Sequence, residues 1–516
     1  MKYLLRLVAL ATLCALAPTR AAEPAAYVPP AFSDADRLRR VQELVPEVDA
    51  AFAELAATRH LPGVAYGLVL DGKLIHARAL GFANVEKKIP AAADTRFRIA
   101  SMTKSFTALA ILKLRDAGRL SLSDPVERYV SEFRSVNLLT ADSGPVTLRH
   151  LLTMTAGFPE DNPWGDRQLA LSVAGLQAFV RGGISFSNAP GPTYEYSNLG
   201  FALLGQVITH VTGESYQRYI TRELLTPLGM TDTRWEFSEV PTEKLALGYR
   251  WENDAWLPEP LLHDGAYGAM GGLLTTLDDY ARYVAFHAAA WPPRDGRDAG
   301  PVRRATLREM HQPAIVSGLV TDAKTSTGET LPLVNGYGFG LRWTMDARNT
   351  VRFGHSGGLP GFGSNWLLYP AHGLAIISFS NLTYAPMSAI NTRLAALLVE
   401  QGALPPRTLP TSAMLALRER QVADLLISWD RELGDTILAE NFFLDRSREA
   451  WIKLARETLA RAGRLTGTQP LVPENQLRGA FALLGDTGRV EVFFTLTPEA
   501  TPKIQQLRLT YVDPQQ

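Results

Sequence analysis

The sequence predicts a mixed α/β (α+β) chain: one antiparallel sheet flanked by helices, a mostly helical lobe inserted in it, and a small α+β domain at the C-terminal end. Three observations lead there. Strand-like stretches stand at both ends of one long region, near 64–79 and 338–380, while the segment between them alternates helical patterns with Gly/Pro-rich loops. The run Pro405-Pro406-Arg407-Thr408-Leu409-Pro410 then interrupts the pattern as a linker would. After it, two amphipathic helices precede strands of alternating polarity.

Taken in order, Lys2 and Arg6 precede an apolar run from Leu7 to Leu16 and a small-x-small site at Thr19-Arg20-Ala21. Residues 1–21 are therefore expected to be a signal peptide, which implies a periplasmic or secreted protein. A run of about ten apolar residues is too short to cross a bilayer, and no later segment is long enough, so no membrane span is expected. The single cysteine, Cys14, lies inside that signal, so the mature chain has no disulfide, no thiol nucleophile and no cysteine-ligated metal. The nine histidines are scattered without a His-Glu-x-x-His pattern, and neither a metal nor another cofactor is expected. The 52 basic and 52 acidic residues balance, which leaves no nucleic-acid or membrane-surface footprint.

Residues 22–32 are Pro/Ala-rich and expected to be irregular, and 35–60 read as one helix with Val41, Leu44, Val45 and Val48 on a stripe. The stretches 64–70 and 73–79 form a predicted hairpin about Asp71-Gly72. A helix is predicted from Ser101 to about Leu114, ending near Gly118, with further helices at 199–211, 277–286 and 386–401. Strands are predicted at 338–343, 351–354, 364–369 and 374–380. The 516 residues thus divide into a signal at 1–21, a main domain at 22–402, a linker at 403–412 and an accessory domain at 413–516. In the last, helices are predicted at 414–430 and 446–462 and strands at 477–484, 489–496 and 504–512. Helices followed by a meander resemble small cone-shaped accessory folds of the NTF2-like type.

The chemistry begins at Arg98-Ile99-Ala100-Ser101-Met102-Thr103-Lys104. Spacing i, i+3 puts Ser101 and Lys104 on one helix face. A serine hydroxyl needs a base beside it, and a desolvated lysine can be that base. Alone the pair is weak: roughly two chance Ser-x-x-Lys matches are expected in a chain this long. Two further stretches join it. Tyr194-Glu195-Tyr196-Ser197-Asn198 offers a phenol that can carry a proton and an amide that can orient a lysine, although Asn198 would equally serve as a helix cap. Gly354-His355-Ser356-Gly357-Gly358 combines a strand end with glycines that let a substrate approach the backbone, or else a plain glycine turn.

In this order, Ser101-x-x-Lys104, Tyr196-Ser197-Asn198 and His355-Ser356-Gly357 resemble the penicillin-recognising serine hydrolases, and more narrowly the class C β-lactamase-like group of β-lactamases, DD-peptidases, D-aminopeptidases and esterases. The surrounding Val146 to Leu152, Pro190-Gly191, Gly271-Gly272-Leu273 and Tyr337-Gly338-Phe339-Gly340 fall where that group carries similar stretches, and the likeness spans about 35–402. The resemblance implies a β-lactamase/transpeptidase-like fold and an acyl-enzyme on Ser101, with an ester, amide or peptide as substrate. It implies proton transfers shared by Lys104 and Tyr196, with Asn198 bonded to Lys104 or substrate and an oxyanion site at the N–H groups of Ser101 and Gly358. Gly357 and His355 complete the implied substrate-binding set. His355 stands where lysine is usual, and a neutral imidazole binds a carboxylate weakly, so uncharged acyl substrates are expected to be preferred over penicillins. Met154 and Ala156 depart from the histidine and serine that relatives often carry. Two rivals remain. Gly354-x-Ser356-x-Gly358 matches a nucleophile elbow, but no acid lies between Ser356 and the only later histidine, His372. A receptor that binds cell-wall peptides or β-lactams without turnover would keep the same residues.

Overall fold

The computed structural model describes residues 27–325 and 328–514, so the expected signal at 1–21 lies outside the described residues. The described chain forms two compact units, Pro30–Thr408 and the part from Leu409 onward.

The first unit is built on nine strands: β1 (Gly63–Leu70), β2 (Lys73–Asn84), β3 (Ile89–Pro90), β4 (Ile315–Val320), β5 (Leu333–Tyr337), β6 (Arg342–Asp346), β7 (Val351–Leu359), β8 (Phe362–Tyr369) and β9 (Leu374–Ser380). They pair antiparallel throughout in the order β3-β2-β1-β9-β8-β7-β6-β5-β4. The early hairpin thus docks beside the last strand through β1 and β9, Val64 opposite Ser380 and Leu70 opposite Leu374. Two distant chain segments make one sheet, as the sequence predicts. β1, β8 and β9 are buried along their whole length, because helices cover both faces.

On one face lie α1 (Val45–Thr58) and, later in the chain, the helix Met387–Glu400. Val48, Phe52, Ile390 and Leu394 meet Tyr66, Leu68, Leu367 and Ile376 of the sheet there. The other face carries α2 (Lys104–Asp116), α3 (Asn198–Thr212) and α4 (Leu277–Ala288), whose apolar residues form one continuous core with the lobe. α2 is buried almost all round, from Lys104 through Leu112, which is why its sequence shows no clean polar stripe. Truncating one of its leucines to alanine would cost about 2–5 kcal/mol. The helix Met387–Glu400 is α5 below.

Several boundaries differ from expectation. The single helix expected over 35–60 is two, Arg37–Glu43 and α1, because Pro46 in the first turn of α1 has no N–H to continue the earlier ladder. Of the strand expected at 338–343, residues 338–341 are instead the turn between β5 and β6, and only Arg342 and Trp343 are strand. Gly338 to Leu341 reverse the chain, and Gly340 takes φ +69 where a Cβ would lie 2.9 Å from both Lys104 O and the Ala108 Cβ of α2. β7 runs on through Gly357 and Gly358, so this glycine-rich stretch is strand rather than turn. The linker expected at 403–412 is shorter: Leu404 is buried in the first unit's core, Arg407 N–H donates to Ala371 O, and Thr408 pairs with Ala31.

The second unit has α6 (Ala413–Ser428), α7 (Arg431–Ile437), α8 (Arg448–Ala462) and a four-stranded antiparallel meander, β10 (Leu465–Asn475), β11 (Arg478–Gly485), β12 (Arg489–Leu496) and β13 (Ile504–Val512). Val490, Val492, Phe494 and Leu496 are buried against α6 and α8 while Glu491 faces out, the alternation the sequence predicts. Among the described residues no helix is long and apolar enough to cross a membrane.

Candidate active site

The serine is presented by strained backbone. Phe97-Arg98 pair with Leu274-Thr275, after which Ala100 adopts φ +51, a left-handed conformation that costs an L-residue about 1–2 kcal/mol. Ser101 follows in a short 3-10 turn, Ala100–Thr103, that feeds α2. The surroundings hold this bend. Ile99 N–H donates to Leu273 O at 3.0 Å, Ser364 Oγ donates to Ile99 O at 2.7 Å, and Leu273 N–H donates to Thr103 Oγ1 at 3.3 Å. Ser101 thereby keeps 6% exposure at the floor of a cleft in an otherwise closed core.

Lys104, one turn on, is fully buried, with Nζ 3.0 Å from Ser101 Oγ, 2.6 Å from Asn198 Oδ1 and 3.1 Å from Met270 O. Two of these neighbours are carbonyl oxygens that can only accept; the third is a hydroxyl. An ammonium can donate to all three oxygens, and a neutral amine can donate to Asn198 and Met270 while accepting from the Ser101 hydroxyl, so the site holds both forms. Burial pushes the amine down from 10.5 to about 7, with Asp166 and Asp161 opposing the shift and Arg342 adding to it. The Tyr196 ring stands 4.9 Å from Nζ, and its hydroxyl engages Ser101. Burial raises that phenol well above its ordinary range, so it is protonated at neutral pH.

Asn198 is the first residue of α3, but it is not the cap. Asp161 caps the helix instead, its two oxygens accepting from Asn198 N–H at 2.7 Å and Leu199 N–H at 2.9 Å. The Asn198 side chain is thereby free to bond Lys104 through Oδ1 and Asp166 Oδ1 through Nδ2, at 3.3 Å. Asp166, 2% exposed, also accepts from Tyr384 Oη at 2.9 Å. Burial raises the carboxyls of both Asp161 and Asp166. Neither acid was singled out from sequence, because both sit in the irregular loop 158–166; the pattern Asp161-Asn162-Pro163 before a Gly-Asp pair is the one signal there, and it reads as a turn. Met154, an expected departure, takes φ +59, and its sulfur accepts from Ser197 N–H at 3.3 Å, so the exchange fastens the Tyr196 segment.

The third wall is β7. β6 pairs with β7 only as far as Gly354, so from His355 onward that strand edge faces the Ser101 turn. Gly357 makes the approach possible: a Cβ there would lie 2.2 Å from Ile99 O and 2.3 Å from Ser364 Oγ. Gly358 borders the cleft with Tyr384. Ser356 sits mid-strand with no turn into a helix, which removes the elbow reading. His355 does not take the position expected of a substrate ligand. Its ring is 1% exposed, Nε2 accepts from Tyr337 Oη at 3.0 Å, and Nδ1–H donates to Ser356 O at 2.6 Å. Burial, with Arg342 and Lys104 adding to it, holds the imidazole well below its ordinary pKa, hence neutral. The cation that does face the cleft is Arg342, an exposed residue with Cζ 5.4 Å from the Tyr196 ring.

The cleft measures about 360 Å³ and is lined by Ser101, Asp166, Tyr196, Arg342, Gly358 and Tyr384 among others. Among the described residues no group of three His, Cys, Asp or Glu side chains could hold a metal ion. The geometry therefore offers a serine hydroxyl, an amine that titrates near neutrality and a protonated phenol around one open volume.

Comparisons with known proteins agree on the family. A family model described as Beta-lactamase matches residues 48–401, within the first unit. The chain is 30% identical over 344 residues to Protein flp of Staphylococcus aureus (strain COL), an overlap of 65% of this chain and 63% of that protein. It is also 30% identical over 253 residues to Beta-lactamase-like protein 2 of Dictyostelium discoideum, 48% of this chain and 46% of that one. The matches thus span under two thirds of the length of these curated relatives. Among solved structures, an octameric penicillin-binding protein homologue from Pyrococcus abyssi superposes with a TM-score of 0.59 at 25% identity, covering 91% of this chain and 98% of that one. A penicillin binding protein from Bacillus halodurans shares the fold with a TM-score of 0.52 at 24% identity, covering 67% and 98%. On the match across residues 48–401, this chain belongs to the β-lactamase family, within the superfamily of serine β-lactamases and penicillin-binding proteins.

Proposed function

We propose that this protein is a serine hydrolase of the class C β-lactamase-like group that cleaves an ester or amide through an acyl-enzyme on Ser101. The observation that carries the reading is the Lys104 environment: a buried amine near neutrality, two carbonyls within reach of its N–H bonds, and Nζ 3.0 Å from Ser101 Oγ. Lys104 accepts the Ser101 proton as Oγ bonds to the substrate carbonyl carbon. The resulting oxyanion sits between the N–H groups of Ser101 and Gly358. Collapse breaks the bond to the leaving atom, which takes a proton from the Tyr196 phenol, itself resupplied from Lys104. Water then attacks the acyl ester with the same groups working in reverse, and Ser101 is regenerated.

Arg342 revises the expected substrate preference. The preference for uncharged substrates rested on His355 as the group facing the carboxylate, and its ring is turned into the core. The exposed guanidinium over Tyr196 supports substrates with a carboxylate on the leaving side, since the proton donor to the leaving atom lies directly beneath it. The test is labelling by a fluorophosphonate probe together with turnover of p-nitrophenyl acetate, a D-amino-acid amide, a D-Ala-D-Ala peptide and nitrocefin. Ser101→Ala should abolish labelling and lower turnover by several orders of magnitude. Labelling without turnover of any of the four would favour the receptor reading, and full labelling of Ser101→Ala would refute the role of Ser101. The run Lys2 to Ala21 supports export to the periplasm or medium, which fractionation of the producing cell checks.

A further inference from the structure

Beside the cleft lies a second concavity of about 400 Å³, on the face of the sheet that carries α5. α5 packs over β8 and β9, and among the described residues no comparable helix packing covers the outer strands β4 to β7 on that side. Register places the lining. Asn335, Thr344 and Arg352 stand opposite one another across β5, β6 and β7, and Arg342 stands opposite Gly354 one row nearer the cleft. Residues directly opposite share a face, so both arginines project from the same side of the sheet. Thr392 of α5 and Asn365 of β8 close the far wall.

Two features define what this groove would hold. Its lining contains Arg342 and Arg352 and no aspartate or glutamate. Among the described residues neither guanidinium forms an ion pair with a carboxylate; Arg342 hydrogen-bonds Tyr194 and Arg352 hydrogen-bonds Tyr369. Uncharged polar side chains, among them Asn335, Thr344, Asn365 and Thr392, make up much of the rest of the lining; Thr344 Oγ1 donates to Asn335 Oδ1 and Asn365 Nδ2 to His355 O. The groove is also continuous with the active cleft, because Arg342 and Ser356 line both. Two residues along a strand separate the arginine rows by about 7 Å.

We propose that this groove is a second anion subsite that takes an acidic extension of the leaving portion of the substrate. The inference rests on the reading of Ser101 as nucleophile and Tyr196 as proton donor to the leaving atom. Past that atom, the substrate meets Arg342, which holds a first carboxylate, and then Arg352, which holds a second acidic group. The substrate class is therefore an ester or amide whose leaving portion carries two acidic groups, as a peptide with an acidic C-terminal residue does. Charge-assisted bonds to arginine are stronger than neutral ones and depend on salt where exposed.

The experiment compares leaving groups of increasing acidity on one acyl group: phenyl acetate, 3-acetoxybenzoate and 5-acetoxyisophthalate. Binding of the corresponding products, 3-hydroxybenzoate and 5-hydroxyisophthalate, is measured by calorimetry alongside turnover. The wild-type protein should bind 5-hydroxyisophthalate about 10-fold more tightly than 3-hydroxybenzoate at low salt and show a similar ratio in kcat/KM. Arg352→Gln should remove that ratio, and Arg352→Lys should keep most of it. Comparing ratios between variant and wild type cancels the intrinsic reactivity of the three esters. Equal binding of the two products by the wild type, or a ratio unchanged in Arg352→Gln, overturns the subsite. Preference for the diacid product with no turnover of any ester would instead uphold the subsite and refute the acyl-enzyme reading.

Discussion

Replacing Asp166 by asparagine should move the pH at which Ser101 becomes reactive, and it should move it downward. Lys104 falls from 10.5 to about 7, about 5 kcal/mol against the buried ammonium. At pH 7 about half of it is free amine, where an ordinary lysine would offer about one part in 3,000. The resting value is a balance: burial lowers it, and the charge of Asp166 is the largest influence raising it. Asp166 lies behind Asn198, whose Nδ2 donates to it at 3.3 Å while Oδ1 accepts from Lys104. In Asp166→Asn the new amide can still accept from Asn198 and donate to Tyr384 Oη, so the packing survives and only the charge is lost. At the effective dielectric of such sites a charge at that remove is worth about one pH unit. The assay is the second-order rate of fluorophosphonate labelling from pH 5 to 9. In the wild type it should rise tenfold per unit up to a midpoint near 7 and then level off; in Asp166→Asn the midpoint should sit near 6. A rate independent of pH over this range, or a midpoint that rises in the variant, would refute Lys104 as the base.

Other substitutions test the walls of the site. Gly357→Ala would force a methyl into Ile99 O and Ser364 Oγ, so it should cost about 1–3 kcal/mol in urea unfolding and lower labelling at least tenfold by displacing the Ser101 turn. His355→Lys would bury an ammonium beside Tyr337 and near Lys104 and Arg342; a fall in Tm with no gain in nitrocefin turnover is expected, and a stable variant with improved nitrocefin turnover would show that residue 355 does face the substrate. A chain ending at Thr408 should fold and keep fluorophosphonate labelling, whereas one ending at Leu404 should be less stable because Arg407 and Thr408 bond to Ala371 and Ala31; equal stability of the two would show that the segment contributes nothing.

The parts of the site legible in the sequence are those whose spacing is local. Ser101 and Lys104 are one helical turn apart, and Tyr196 and Asn198 stand at a helix start, so local spacing alone keeps the members of each pair close together. The sheet was legible for a similar reason: β1, β9, β12 and β13 are apolar or alternating runs bounded by turn residues. What pattern does not reach is where side chains turn once strands pair. His355 lies on the inward face of β7, and a one-residue difference in register decides between core and cleft. Arg342 lies on a strand whose first predicted residues are in fact a tight turn about Gly340. Asp161 and Asp166 belong to a loop without period, brought to α3 only by the fold. β10 was hidden by Pro470 and Pro473, which argue against a central strand; it is tolerated because β10 is an edge strand, paired with β11 alone. β4 was hidden because Val316 and Leu319 are exposed and carry no burial pattern.

The balance of forces on Lys104 bears on why the site needs acids that never touch substrate chemistry directly. Burial alone would drive the amine so far down that it would be always available and too weak a base to hold the Ser101 proton. Asp161 and Asp166 restore part of its basicity through their charge, with no ion pair to Nζ: Asp161 bonds the first N–H groups of α3 and Asp166 bonds Asn198. When the proton arrives, the ammonium finds Asn198 Oδ1 and Met270 O already in place and two carboxylates behind them, so no dipole has to turn during the step. Arg342 works in the opposite sense, lowering the amine's pKa from the cleft side. A substrate carboxylate bound to Arg342 would partly neutralise that influence and make Lys104 a stronger base at the moment the carbonyl is in position. Charge recognition at Arg342 and base strength at Lys104 are in this way coupled through space, and a carboxylate on the leaving group should raise the rate of acylation as well as the affinity.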